Sequence, residues 1–424
     1  LPHIRRLLLT CVCLHLSSCD QTGHLLATVP RRHQADFAHL LRAAQQASSN
    51  GVVAANHQER RKYWAAWRDF CLTTNMDHRL CHTAGSSAID ALRAFAAKVR
   101  RGDLGRGHQV GHQTVQVALR AIGTTFELDG QPNPLYRCAS SQRYWKALER
   151  QIEGYRRQDP PPQPKLAVPV TVPHWAVDHG LSTGSTPKQQ AVGDLTLIAF
   201  YYLLRVGEYT LTNPKQKRRT KQFRVCDVTF WKAGTILPST SPRQVLLTAD
   251  SATLTITNQK NGTKGQVIHH GCTATQHSPI TALARRVAHI LGHTTDVTTP
   301  LCTYYAKKQA KHIRATDINA NVKNAVKALG LESAGFTARL VSSHSLRAGG
   351  AMAMKLNGAD RDTIRKQGRW SSDTFLMYIH EQIAAFSSGL ATQMSKHIPF
   401  INIRGPSLHQ TAATTSTTNR ILSF

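Results

Sequence analysis

Apolar positions fall in two rhythms along the chain. From Glu59 they recur at helical spacing. Trp64, Trp67 and Cys71 share one face, and Ile89, Leu92, Ala96 and Val99 form a second stripe. Val115, Ala118 and Ile122 form a third, and Tyr144, Leu148, Ile152 and Tyr155 a fourth. Four such stripes in about 100 residues predict a small all-α unit. Residues 1–57 show no clear period and read as a flexible or unprocessed leader, in which Arg5-Arg6 followed by Leu7-Leu8-Leu9 mimics a short signal peptide. No stretch approaches the ~18 apolar residues of a membrane span.

Asp159-Pro160-Pro161-Pro162-Gln163-Pro164-Lys165 then ends all periodicity. Four prolines within five positions exclude a regular helix and predict a stiff, extended linker over residues 158–172. The helical unit is accordingly placed at 58–157, a second unit at 173–395 and a mobile Ser/Thr-rich tail at 396–424.

The second unit mixes both rhythms. Thr186-Pro187 signals a capped helix start, with an apolar face through Leu195, Ile198, Tyr201 and Leu204. Phe223 to Phe230 is β-rich. Leu254 to Thr257 and Gln266 to Ile268 flank Lys260-Asn261-Gly262-Thr263-Lys264-Gly265, whose Asn-Gly step is a strong hairpin signal. Helices are predicted around Ile280 to Leu291, from a Thr316 cap to Leu329, over Ser343 to Leu356 and over Asp362 to Gln367. A last one, capped by Ser371 or Ser372, carries Phe375, Tyr378 and Ile379. The fold class is therefore multidomain, all-α followed by mixed α+β, mainly α, with a small antiparallel sheet.

Charge narrows the function. The 424 residues hold 53 Lys and Arg against 24 Asp and Glu, a formal +29. A surface this positive calls for an anionic partner: nucleic acid leads because lysine and arginine neutralise its phosphates, an anionic membrane surface is the alternative, and double-stranded DNA is the partner taken forward. No membrane association is expected. The nine cysteines are odd in number and contain no Cys-x-x-Cys, which argues against a disulfide framework and a zinc ribbon. His269-His270 tempts as a metal pair, but neighbours on a strand point to opposite faces. Arg60, Arg61, Lys62, Arg100 and Arg101 in the first unit, and Lys217, Arg218 and Arg219 in the densest basic run, are candidate phosphate contacts.

Cutting a DNA strand without metal or ATP takes a nucleophile that keeps the bond energy in a covalent ester. It also takes guanidinium forks for the phosphate oxygens and a proton donor for the leaving oxygen. The second unit holds that set. Arg205 stands in Leu203-Leu204-Arg205-Val206-Gly207-Glu208, and Lys260 on the hairpin. His344 and Arg347 stand in Ser343-His344-Ser345-Leu346-Arg347-Ala348-Gly349-Gly350, Trp370 after Gly368-Arg369, and Tyr378 eight residues on.

This order resembles the tyrosine recombinase (phage integrase) family, whose order is Arg, Lys, His-x-x-Arg, His or Trp, Tyr. The wording of the last two boxes looks most like eukaryotic Crypton and DIRS mobile-element recombinases. The resemblance runs from about Pro173 to Ala391, and the helical unit is similar in size and place to the family's SAM-like core-binding domain. It implies that Tyr378 attacks the scissile phosphate to leave a 3′-phosphotyrosine and a free 5′-hydroxyl. Arg205 and Arg347 would hold the phosphate oxygens and Lys260 would protonate the leaving oxygen, with Lys264 on the same turn as the alternative. His344 would assist proton transfer, Trp370 would donate its indole N–H or pack the site, and Glu208 would orient it from behind. No cofactor or metal is implied. A homotetramer on DNA is, with a nuclear location in a eukaryote and otherwise a cytoplasmic or nucleoid one. Two departures stand out: the Trp–Tyr spacing of eight, where many bacterial members have nine, and the arginine before the tryptophan. Alternative readings are an inactive DNA-binding derivative of a mobile element and a type IB topoisomerase-like nicking-closing enzyme.

Overall fold

The computed structural model describes residues 26–51, 54–81, 85–105, 107–137, 143–161, 165–211, 221–257, 265–273, 275–373, 376 and 395. Its buried apolar residues form two large, separate cores. The first is built by α2 (Ala54–Thr73), α3 (Gly85–Arg101), α4 (His112–Leu128) and α5 (Lys146–Gln158), preceded by α1 (Arg31–Asn50). Trp67 is fully buried at the centre, edge-on to Phe95 at 5.3 Å, and its indole N–H donates to the His78 carbonyl at 2.9 Å. A buried aromatic of this size is worth roughly 3–5 kcal/mol against alanine, so this stripe alone anchors α2 to α3.

Two features of this region depart from the sequence reading. Helix α1 lies inside the stretch read as a flexible leader. None of its described side chains is buried, and its apolar face is short, with Phe37, Ala38 and Leu41 half-buried at helical spacing; its alanines (35, 38, 43, 44 and 47) favour helix by local propensity. Tyr144, read as part of the fourth stripe, precedes α5. It bridges to Tyr136 as an isolated antiparallel pair, with the two rings stacked at 5.6 Å.

The proline segment is tied down at both described ends. Asp159 ends α5, where its carboxylate accepts the His112 backbone N–H at 2.8 Å and pairs with Arg100. On the far side the Leu166 N–H donates to the Leu340 carbonyl at 2.8 Å, and the Val168 N–H to Ser345 at 3.3 Å. Ala167 and Val168 are buried there. The stretch after Lys165 is thus part of the second unit's packing, because these backbone groups find partners in it.

In the second unit α6 (Thr171–Leu181) begins before Pro173, which its first turn tolerates. Helix α7 (Pro187–Tyr201) starts at the Thr186 cap: Thr186 Oγ1 accepts the Gln189 N–H, and the Gln189 side chain accepts the Thr186 N–H. Ala191 to Phe200 are all buried, so α7 is the central element of the unit. A short α8 (Val206–Tyr209) follows, then β1 (Val228–Lys232), β2 (Thr235–Leu237), α9 (Arg243–Leu246), β3 (Ser251–Ile256) and β4 (Gln266–Gly271). The four strands form an antiparallel sheet ordered β2-β1-β3-β4. Phe223 to Val225 do not join it. Asp227 accepts both the backbone N–H (2.8 Å) and the guanidinium (3.0 Å) of Arg224, and this draws Val225–Asp227 into a 3₁₀ turn.

Helix α10 (Pro279–Leu291) leads to a hairpin of β5 (Thr303–Ala306) and β6 (Gln309–His312), which the sequence reading missed. Helix α11 (Ala315–Ala328) starts just before its predicted Thr316 cap, since Asp317 accepts the Arg314 N–H at 2.8 Å. Helices α12 (Ser343–Leu356) and α13 (Arg361–Gly368) match their predicted spans to within a residue. The fold is therefore mainly helical with small antiparallel sheets.

Candidate active site

The site begins where α7 ends. Leu203 takes a left-handed φ of 49°, which turns the chain sharply out of the helix. Arg205 then caps α8. The Glu208 carboxylate accepts the Arg205 backbone N–H at 2.8 Å and its guanidinium at 3.3 Å. Glu208 is buried, while 27% of the Arg205 side chain stays exposed. That leaves one face of the Arg205 fork open to a ligand.

Helix α12 supplies the second box. Ser342 caps it, and the Ser343 N–H donates to Asn319 at 2.7 Å. Gly349 and Gly350 face backbone directly: a Cβ on Gly350 would collide with the Phe200 carbonyl, and one on Gly349 with that of Val168. This close approach carries Arg347 to the end of α7. Its guanidinium donates to the Leu203 carbonyl at 2.6 Å and to the Gly368 carbonyl, and lies 4.4 Å from the Trp370 ring centre. His344 is exposed one turn earlier on the same helix. Desolvation by the surrounding protein, then the nearby Arg347 charge, hold its pKa below the ordinary 6.5. A neutral imidazole at pH 7 can take up a proton during a reaction.

The third box contributes more than the sequence suggested. Helix α13 ends on Arg369, in a left-handed conformation with φ 57°. Its buried guanidinium donates to the same Leu203 carbonyl at 2.9 Å and to Glu208 at 3.1 Å. Its Nε and Nη1 groups have no hydrogen-bond partner among the described residues. Burial lowers its pKa, and Glu208 works against that. Arg205 and Arg369 thus share one carboxylate, and Arg369 and Arg347 share one carbonyl, so guanidiniums from three segments are linked through Arg369. That leaves net positive charge in a largely dry place, a setting that favours a phosphate. Trp370 packs on Ala348, Ala351 and Ile364 and covers Gly368, where a Cβ would strike the ring.

Arg205, Glu208, Arg347 and Trp370 therefore converge, with His344 one turn away. Tyr378, Lys260 and Lys264 lie outside the described residues, as do Lys217, Arg218, Arg219 and the helix read after Ser371. The β3–β4 pairing through Ile256 and Gln266 does place the ends of the expected hairpin side by side. Arg369 was missed as a contributor. Its signal was an arginine directly after a helix-ending glycine, where a left-handed residue is needed and Gly or Asn is usual.

The first unit needs one correction. Arg100, read as a phosphate contact, is 7% exposed. It donates to the Val110 carbonyl at 2.5 Å, pairs with Asp159 and stacks on Tyr155 at 5.1 Å. It is a structural tie, because its charge is already spent on a partner 59 residues away. Arg101 is exposed and pairs locally with Asp103 at 2.8 Å. Arg61 and Lys62 are exposed on α2, and Arg60 contacts His57 at 2.9 Å. On β4, His269 is exposed, whereas His270 packs edge-on to Tyr202 and meets the Gln367 amide at 2.5 Å. Among the described residues no His, Cys, Asp and Glu group is placed to hold a metal, and no helix is long and apolar enough to cross a membrane.

No family model matches the sequence, and no curated protein matches it. Solved structures with a similar course include the Tn1549 transposon integrase with circular intermediate DNA, at 13% identity over 82% of this chain and 97% of that one, TM-score 0.44. The same integrase with transposon right end DNA gives 10% identity, 73% and 85% coverage and a TM-score of 0.40. XerA recombinase gives 14%, 85% and 99%, with a TM-score of 0.35. The chain is similar to these proteins at low identity, and its chemistry has to be read from its own residues.

Proposed function

We propose that the protein breaks and rejoins DNA strands as a tyrosine recombinase, through a 3′-phosphotyrosine at Tyr378. The carrying observation is a linked set of guanidiniums beside the Leu203 turn: Arg205 and Arg369 share the Glu208 carboxylate, and Arg369 and Arg347 share the Leu203 carbonyl. A phosphodiester entering beside Arg205 supplies the missing negative charge. The Tyr378 oxygen attacks phosphorus, the bond to the 5′ oxygen breaks, and the leaving oxygen takes a proton from Lys260. The phenol proton passes to His344, whose lowered pKa keeps it neutral and receptive. The reverse attack by a 5′-hydroxyl of another strand reseals the joint, so phosphodiester bonds are conserved. The reading is closest to recombinases of the Crypton and DIRS kind. It gives residues 58–157 the part of a core-binding domain that closes on the duplex opposite the catalytic unit. Exchange between two duplexes uses four tyrosines, and so a tetramer on DNA.

The test is a pool of nicked duplexes of random sequence incubated with the full chain. Protein–DNA adducts that survive SDS and EDTA, and vanish with Tyr378→Phe, are the expected result. Binding without adducts on every member of the pool would overturn the enzymatic reading.

A further inference from the structure

Strand β5 and strand β6 are joined by two residues only, since Ala306 pairs with Gln309 across Lys307 and Lys308. Both lysines sit at positive φ, 50° and 63°. Two central residues of this kind define a type I′ hairpin turn, which matches strand twist and is normally filled by Asn-Gly. A side chain with a Cβ is penalised in that conformation, and doubly so when two stand in succession. A feature held against such a cost, where Asn-Gly would relieve it, points to a use for the side chains.

The hairpin is built to hold that tip still. Cys302, Thr303 and Ile313 at its base are buried. The buried Arg286 donates to the Leu301 carbonyl at 3.2 Å and to that of Thr303. The Tyr305 N–H donates to His289 at 3.0 Å, and the Tyr305 ring stacks on His293 at 4.5 Å. Beyond this base Lys307, Lys308 and Lys311 are all exposed. No carboxylate among the described residues pairs with any of them. Three uncompensated ammonium groups therefore stand on a rigid two-stranded finger of a chain with net charge +29.

We infer that the β5–β6 finger is a phosphate-backbone clamp for duplex DNA, with Lys307 and Lys308 each neutralising a phosphate. It goes beyond the cleavage site but rests on the DNA-binding reading above. Compact ammonium groups fit it as point charges that carry no base specificity.

The test measures binding of the full chain to a random-sequence duplex across a salt series. Each lost phosphate contact lowers the slope of log K against log salt by about 0.9, so K307N/K308G should lower it by about 1.8. The same variant should melt no lower than the unaltered chain, because its turn is relaxed. K307R/K308R keeps the charge and should keep the slope. An unchanged slope in K307N/K308G, with the unaltered chain binding in a salt-dependent way, would overturn the clamp and leave the DNA reading standing. Absence of salt-dependent duplex binding by the unaltered chain would sink both. Loss of binding to vesicles of phosphatidylcholine and phosphatidylserine, with the duplex slope intact, would assign the finger to a membrane surface and overturn the proposal.

Discussion

Glu208→Gln removes one negative charge while keeping the shape of the side chain. In the folded protein 4% of that side chain is exposed, and its Arg369 partner is 1% exposed. The amide oxygen can still accept the Arg205 backbone N–H, so the α8 cap survives. What is lost is the counter-charge to Arg369 and, in part, to Arg205. Removing one member of a buried ion pair costs about 3–5 kcal/mol, because the remaining charge stays desolvated. The Arg205 share is small, since that side chain is 27% exposed and screened by water. We take about 3 kcal/mol as the working figure, which for a unit of roughly 200 residues is a fall in Tm of about 6–12 °C. The assay is thermal unfolding followed by near-UV circular dichroism. It is run beside Glu208→Asp, which keeps the charge but shortens its reach and should fall in between. A change for Glu208→Gln of less than about 2 °C would refute the idea that one carboxylate ties Arg205 to Arg369.

Gly350→Ala should cost about 1–3 kcal/mol or more and abolish adduct formation, as the added methyl meets the Phe200 carbonyl and moves Arg347; a fully active, equally stable variant would contradict the close approach. Arg100→Gln should lower the melting temperature of the first unit, while Arg101→Ala should leave it unchanged and reduce only the salt-dependent part of DNA binding. The opposite ranking would restore Arg100 to the surface. Acid should destabilise the second unit early. Burial holds His270 and His289 at about 4 against 6.5 for an unfolded histidine, and the His289 ring accepts the Tyr305 N–H only while unprotonated. The unfolded chain thus binds more protons below pH 6.5, so stability is complete above that pH and falls towards pH 4, by up to about 2.7 kcal/mol per pH unit for the two together. A Tm that stays flat from pH 7 to pH 5 would be inconsistent with two half-buried histidines held neutral.

The elements legible in the sequence are those whose signals are local. Thr186-Pro187 caps α7 through its own first turn, and Asn357-Gly358 stops α12 where predicted. The stripes of α2 to α5 face one core because their period is set by the helix itself. The misses involve partners distant in sequence. Arg100 looks like half of a surface Arg-Arg pair until Asp159 is brought beside it. Arg369 looks like a spacer before Trp370 until Glu208, 161 residues earlier, accepts its guanidinium. The β5–β6 hairpin carries no Gly or Asn at its turn, so nothing marked Lys307-Lys308 as one. Helix α1 escaped for a different reason: Phe37, Ala38 and Leu41 make only a short, half-buried face within an otherwise polar and alanine-rich helix. At the site, Arg205, His344 and Arg347 were read from box order alone, and folding does gather the two arginines about the Leu203 turn.

The central claim, that this guanidinium cluster holds a phosphate for attack by one phenol, is tested most directly by protease digestion and mass spectrometry of the trapped adduct. The account predicts a nucleotide mass on the peptide containing Tyr378, and its loss in Arg205→Ala and Arg347→Ala. A nucleotide on any other residue, or an undiminished adduct when both arginines are removed, would contradict it.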